Sequence, residues 1–266
     1  MLCQDVKKKG ECKAMQARDV FFIDYDGSLA DSGDIDVKLF AELVEMMSQP
    51  NFDLVLCSGR PAPYLQGVRS FFGNKVKTPY IIAENGSVVV VRKGHRFYFE
   101  MLVPWDERQA IFKIKEDLRK IQQRNNYDFV VEYGKDYSIS VHWGRSFEKE
   151  AFWEYFNGNI ESWIGAQRLK KIRFVPTSDC IDIFGNSISK ATGVKHVLQH
   201  YAPKDLGRIF YVGDSANDIK AAQVVKTMGG KILAPENVSS DFQPFVDIVG
   251  KGRTLSGVID AIKTAI

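Results

Sequence analysis

The chain has 266 residues, 45% hydrophobic and 26% charged, which excludes disordered and collagen-like classes and leaves room for one large or two modest domains. A formal net charge of +3 is too small to draw nucleic acid, which selects a basic face, so no nucleic-acid partner is expected. The four cysteines, Cys3, Cys12, Cys57 and Cys180, have neither disulfide-scaffold density nor paired zinc spacing, which points to a reduced compartment. No apolar run approaches the ~20 residues that span a bilayer. Residues 1–18 read as a polar, flexible tail without an apolar signal core, and Lys7, Lys8 and Lys9 as a solvated charge run within it. The expected setting is the cytoplasm, away from membranes.

Over residues 20–83 short apolar runs alternate with helical stretches: FFID, VKLFAELVEMM, DLVLCS, APYLQGVRSFF and YIIA. Apolar runs without strict alternation predict strands covered on both faces, hence a parallel sheet between helices. Residues 85–184 change texture: SVVVVRKGHRFYFE and FVVEYGKDYSISVHW alternate apolar and polar residues around glycine turns, as antiparallel hairpins with one solvated face do. Helical segments near 107–124 and 148–163 separate them, and LKKIRFVP and CIDIFG follow. From Ser187 the first texture returns, with SKATGVKHVLQHY, IFYVG, NDIKAAQVV, KILA, VDIV and a closing helix near 255–265. The expected fold is therefore α/β: a Rossmann-like doubly wound parallel-sheet core built from residues 19–84 and 185–266, interrupted by an α+β domain over 85–184.

Four groups fall just after strands or at a helix start, the places where ligands bind in a doubly wound sheet. In FFIDYDGSLA a buried strand points Asp24 into a crevice, and the turn that follows brings Asp26 to face it. Two acids that close repel in a low-dielectric cleft unless a cation sits between them or one holds a proton. Ser58-Gly59-Arg60 follows DLVLC, Lys190 opens a helix, and GDSAND, residues 213–218, follows IFYV. Singly, each has an ordinary structural reading: a turn at the acid pair, a helix start at Pro61, an N-cap at Ser215 or Asn217, and a solvated surface lysine. Lys190 is the exception in one respect, since a cation at a helix N-terminus opposes the macrodipole and a bound anion would remove the conflict.

Taken in order, the acid pair, serine, lysine and Gly-Asp with further acids resemble the four motifs of the haloacid dehalogenase superfamily of phosphatases, over nearly the whole chain from Val20. GDSANDIKAA and the AENG segment at residues 83–86 are similar to the branch that includes sucrose-phosphate and mannosylphosphoglycerate phosphatases, and DYDGSL is also similar to trehalose-phosphate phosphatases, whose fourth motif differs. Ser28 stands where threonine is commoner and keeps the hydroxyl. The resemblance implies that the insert is a cap and that the activity is magnesium-dependent hydrolysis of a small phosphorylated metabolite, most of all a sugar phosphate. It implies Asp24 as the nucleophile forming an aspartyl-phosphate and Asp26 as the proton carrier, a role that requires a raised pKa. Magnesium would take the Asp24 carboxylate, the Asp26 carbonyl and the Asp214 carboxylate; Ser58, Gly59 and Lys190 would hold the phosphoryl group. Asn217 would position a phosphate oxygen or Lys190, and Asp218 would reach the metal through water or fix Lys190. Ser28 would bond Asp24 or cap its own turn.

The cap says less. Arg168, Lys170, Lys171 and Arg173 read as a solvated strand face before a second anion site, and Trp153, Tyr155, Phe156 and Trp163, at helical spacing, as cap core before a sugar platform. Cys57 reads as a buried strand residue, and His95, His142, His196 and His200 show no zinc spacing that changes this reading. Two other functions stay open: a sugar phosphomutase similar to phosphomannomutase, and a non-catalytic sugar-phosphate-binding protein.

Overall fold

The apolar run that precedes the acid pair forms strand β1 (Arg18–Ile23), which lies inside an eight-stranded sheet and pairs in parallel with a neighbour on each side. The computed structural model describes residues 17–266 except 32, 126–128, 145–147, 178–179 and 202. The first crossover runs through helix α1 (Val37–Met47) to β2 (Phe52–Cys57), and the second through α2 (Ala62–Phe71) to β3 (Tyr80–Ala83). Asp36 starts α1 by accepting the amides of Lys38 and Leu39 at 2.9 and 3.1 Å, and Pro61 starts α2 where no amide is needed.

A hairpin, β4 (Val88–Lys93) and β5 (Arg96–Met101), follows β3 antiparallel. Helix α3 (Trp105–Asn125), β6 (Phe129–Val131), β7 (Ile139–Trp143), α4 (Lys149–Ile164), the short α5 (Ala166–Leu169), β8 (Ile172–Pro176) and β9 (Cys180–Gly185) make up the insert. Its sheet has four strands in the order β6-β7-β9-β8, all antiparallel. The chain then returns through α6 (Lys190–Leu198), β10 (Leu206–Val212), α7 (Ile219–Thr227), β11 (Lys231–Ala234), β12 (Ile248–Val249) and α8 (Thr254–Ala265). The large sheet runs β12-β11-β10-β1-β2-β3-β4-β5.

Period-two alternation along β1 divides the core into two layers. Phe21 and Ile23 pack with Leu43 of α1, Leu65 of α2 and Val258 of α8 on one face. Val20 and Phe22 pack with Val194 of α6 and Ala222 and Val225 of α7 on the other. The parallel sheet between helices is thus as expected. A third cluster sets Ile111, Ile114 and Leu118 of α3 and Phe152, Phe156 and Ile160 of α4 on one face of the smaller sheet.

Two boundaries differ from the sequence expectation. The hairpin within 88–101 was expected to open the insert, but it extends the large sheet past β3, so the second sheet is drawn only from residues 129–185. Alternation along a strand records which faces are covered and not which sheet it joins. Arg18, expected in the tail, begins β1 and its guanidinium grips the Asp53 carboxylate of β2; the rest of the tail expectation, residues 1–16 with Cys3 and Cys12, lies outside the described residues.

The basic run of the insert is engaged locally. Arg168 pairs with Asp117 at 2.7 Å, Lys171 with Asp106 at 2.6 Å, and Arg173 donates to the Ile188 carbonyl and lies over the Phe184 ring. Trp153, Tyr155 and Trp163 pack with buried Phe156 in the insert's core.

Candidate active site

Ile23 pairs with Leu56 of β2 and with Val212 of β10, so Asp24, Ser58 and Asp214 leave the same edge of the sheet, one or two residues past three adjacent parallel strands. The Asp24 amide donates to the Val212 carbonyl at 2.9 Å, and the Ser58 amide to Ile82 of β3 at 3.0 Å. Asp24, Ser58 and Lys190 are all buried.

Lys190 is the first residue of α6, and its ammonium reaches Asp24 Oδ1 at 2.8 Å, Asp218 Oδ1 at 2.7 Å and Asn217 Oδ1 at 3.3 Å. Burial works against the ammonium, yet Asp218 and Asp24 outweigh it and hold the lysine pKa above its ordinary value. Asp218 is the anchor of this corner: Oδ1 also accepts the Tyr211 hydroxyl at 2.6 Å, and Oδ2 accepts the amides of Asp214 and Ser215 at 3.1 and 3.2 Å. Of the two expectations for Asp218, the geometry is that of fixing Lys190. Asn217 likewise touches Lys190.

Burial also drives the Asp24 carboxyl well above the usual carboxylate range; Lys190 pulls it down, and Asp218 and Asp214 push it up again. Asp214 is pushed up to about 7 by burial first and by Asp218 second, against Lys190. The cluster therefore calls for more positive charge than Lys190 supplies. Carboxylate oxygens of Asp24, Asp214 and Asp218 lie within 4.8 Å of one another. Asp214 Oδ1 is buried with no hydrogen-bond partner, while Oδ2 sits so close to Gly27 that a Cβ there would lie 2.2 Å away. An oxygen-only donor set with an unpartnered buried carboxylate oxygen fits a hard divalent cation such as magnesium.

Asp26 lies outside this buried corner. Its half-exposed carboxylate is held by Arg60, with Nη2 2.7 Å from Oδ1 and Nε 3.0 Å from Oδ2. Arg60 belongs to the Ser-Gly-Arg segment, but nothing local in the sequence announces a partner 34 positions away. Ser58 Oγ accepts the Arg60 amide at 3.1 Å, so the hydroxyl also shapes the loop. Gly59 packs against the Asn85 side chain: a Cβ there would meet it at 3.1 Å. The Ser28 hydroxyl is buried and makes no hydrogen bond, so neither of its two alternatives, a bond to Asp24 or a cap of its own turn, is formed. Cys57 is buried and its thiol is pushed up to about 12 by burial, which suits a strand residue rather than a nucleophile.

The insert reaches this edge through residues 132–138. Glu84 accepts the amides of Asp136 and Tyr137 at 3.0 and 2.7 Å and the Ser138 hydroxyl at 3.1 Å, and Gly134 lies 3.8 Å from Pro61 if given a Cβ. Beside it Asn85 donates to Asp182 Oδ2 at 3.0 Å, and Asp182 in turn meets Ser140 and Lys135, all buried. Burial opposes the Lys135 charge, but Asp182 and Glu132 raise its pKa above the ordinary lysine value. These insert residues had no sequence signal, because strand pairing joins them: Ser140 sits opposite Asp182.

The fold is shared with solved structures at low identity. A haloacid dehalogenase-like hydrolase from Bacteroides thetaiotaomicron matches with a TM-score of 0.70 at 15% identity, over 94% of this chain and 100% of the other. The C-terminal domain of trehalose-6-phosphate phosphatase from C. albicans matches with 0.69 at 12%, over 94% and 92%. A sucrose-phosphatase from a Synechocystis species, solved with sucrose and phosphate, matches with 0.60 at 13%, over 94% and 98%. No curated protein matches the chain in sequence. The sequence model of the haloacid dehalogenase-like hydrolases covers residues 21–163 and 148–262, which takes in Asp24, Asp26, Ser58, Lys190 and Asp214, and the chain belongs to that family.

Proposed function

We propose that the protein is a magnesium-dependent phosphatase that hydrolyses the phosphate monoester of a small metabolite, a sugar phosphate, through an aspartyl-phosphate. The observation that carries this reading is the buried Asp24 at the end of β1, paired with Lys190 at 2.8 Å and clustered with Asp214. A phosphate monoester repels anionic nucleophiles, so its site must neutralise charge, align the attack and protonate the leaving group. Asp24, Asp214 and the Asp26 carbonyl would hold magnesium, which when bound neutralises phosphoryl oxygens and the acids around them.

Asp24 Oδ1 already accepts from Lys190 and from the Tyr25 amide at 2.8 Å, which leaves Oδ2 to face phosphorus. Attack by that oxygen forms the aspartyl–phosphorus bond and breaks the bond to the leaving oxygen, which takes the Asp26 proton. Asp26 then takes a proton from water as the water's oxygen attacks phosphorus, releasing inorganic phosphate and restoring the Asp24 carboxylate. Ser58 and the Gly59 amide bind phosphoryl oxygens, and Lys190 offsets the charge of nucleophile and phosphate together. Asp26 can act this way only after Arg60 lets go of it, because the guanidinium occupies both of its carboxylate oxygens.

Two features support a sugar-like leaving group. The fold is similar to phosphatases named for trehalose-6-phosphate and sucrose phosphate. Asp182, Ser140 and Lys135 of the insert meet Asn85 of the core beside the loop carrying Ser58, a buried polar surface that would read hydroxyl groups. No helix among the described residues is long and apolar enough to cross a membrane, and the proposed setting is the cytoplasm. The test is phosphate release from a panel of phosphorylated sugars with and without magnesium, for the wild type and Asp24→Asn. Magnesium-dependent release lost in the variant is expected. Unchanged hydrolysis in Asp24→Asn would remove the nucleophile, and a rearranged sugar phosphate as the main product would replace the phosphatase by a mutase.

A further inference from the structure

A second group of metal-ligating side chains stands on the core, away from the acid cluster. Glu100 projects from edge strand β5, and His196 and His200, four positions apart, come from α6 and the turn that ends it. His196 Nε2 lies 2.5 Å and His200 Nε2 3.6 Å from the same oxygen, Glu100 Oε2. His200 Nδ1 lies 3.0 Å from the His196 carbonyl. A carbonyl only accepts, so Nδ1 carries the proton and the Nε2 lone pair of the neutral ring is the one turned toward Glu100. That second hydrogen bond, orienting the ring and fixing its tautomer, is what metal-binding histidines use.

We propose that Glu100, His196 and His200 form a site for a zinc-class divalent ion, chemically separate from the oxygen-only cluster at Asp24. Two imidazoles and a carboxylate suit zinc and its transition-metal neighbours and not magnesium. Zinc–ligand bonds of about 2.0–2.2 Å place tetrahedral ligand atoms about 3.4 Å apart. The His200–Glu100 separation of 3.6 Å already meets this, and the three ligand atoms lie within 4.8 Å of one another. The His196–Glu100 contact of 2.5 Å is a direct hydrogen bond and would open by roughly 1 Å to admit an ion between the two ligand atoms. Glu100 and His196 are half-buried and His200 is exposed, so a fourth position on an ion held here would be water. Glu100 lies two residues before Leu102, where the chain leaves the large sheet for α3, and α6 carries Lys190 at its start. Zinc here ties the strand that leads into the insert to the helix that presents Lys190.

The test titrates the full chain with zinc chloride after chelator treatment and dialysis, with saturating magnesium chloride present to fill the acid cluster. Calorimetry and thermal melting are read together. The expected result is one zinc per chain with a raised melting temperature, weakened at least tenfold in His196→Ala, in His200→Ala and in Glu100→Gln. Glu100→Gln keeps the side-chain shape and serves if a histidine variant folds poorly by circular dichroism. Cobalt in place of zinc should give a visible spectrum of a nitrogen and oxygen tetrahedron that the variants lose. Absence of zinc binding by the wild type, or zinc binding undiminished in folded variants, would overturn the proposal.

Discussion

Arg60 grips both carboxylate oxygens of Asp26, at 2.7 Å through Nη2 and 3.0 Å through Nε, so the proposed proton carrier is held in an ion pair rather than free above the nucleophile. Burial works against the guanidinium less than the Asp26 bond favours it, and Arg60 is held above its ordinary pKa, so the arginine stays charged throughout the working range. If Asp26 must turn from Arg60 to reach the leaving oxygen, opening this pair is part of the cycle. Arg60→Ala should therefore raise kcat, and Arg60→Lys, which keeps a charge but not the two-point grip, should raise it less. Unchanged kcat in both variants would show that the pair opens before the step that limits turnover. Both partners are too exposed for the pair to matter much to stability, at most about 1 kcal/mol.

Lys190 is the reverse case, a buried cation between Asp24 and Asp218. Lys190→Met keeps the volume and leaves three acids without their protein cation. Removing one partner of a buried pair costs about 3–5 kcal/mol. Denaturant unfolding should show a loss of that order without magnesium and a smaller one with it, and turnover should fall at least about a hundredfold. Asp24→Asn should abolish turnover with a milder stability change, because Lys190 keeps Asp218.

Asp214 supplies a pH signature. Its folded-state pKa is pushed up to about 7, above the value of an unfolded aspartate near 3.9. With the folded value the higher, the stabilising contribution is full below about 4 and is lost as pH rises toward 7. In the absence of divalent ions, stability should fall across that window. Magnesium must displace the same proton, so its affinity should climb with pH, by no more than about tenfold per unit, and level off above about 7. Calorimetry in buffers of different ionisation enthalpy measures the proton released. A pH-independent affinity would remove Asp214 from the metal.

What was legible in the chain follows from where each group is fixed. Asp24 and Asp214 could be placed at one sheet edge because each directly follows an apolar run, and parallel register carries the rest. The hairpin within 88–101 was misplaced because β5 is an exposed edge and β4 a covered strand in either sheet, so the pattern is the same for both assignments. Arg60 with Asp26, and Lys135 with Asp182, are pairs 34 and 47 positions apart. Such pairs are set by packing between elements, and neither residue type nor spacing announces them. His196 and His200 stand in the sequence without their carboxylate, since Glu100 comes from a strand nearly a hundred residues earlier.

The segment Glu84-Asn85-Gly86 holds three successive residues at positive φ, 50°, 56° and 90°, a region open to glycine, tolerated by asparagine and aspartate and strained for Glu84. The strain has an observable return: Glu84 is turned toward the amides of 136–137, Asn85 toward Asp182, and Gly86 against the backbone just before Lys190. A Cβ on Gly86 would lie 2.0 Å from the Ser189 carbonyl oxygen, backbone that cannot rotate away, so α6 would have to shift. Gly86→Ala should therefore destabilise the fold by at least about 2 kcal/mol, from the unfavourable φ and the clash together. It should also lower kcat more than it raises KM, because Lys190 moves with α6. Asn85→Asp tests the insert side of the same segment. It puts a carboxylate against Asp182, leaves φ tolerable, and should weaken substrate binding by opening the contact between insert and core. Wild-type stability in Gly86→Ala, measured by denaturant unfolding, would mean that the close approach of this turn to α6 is not what seats Lys190.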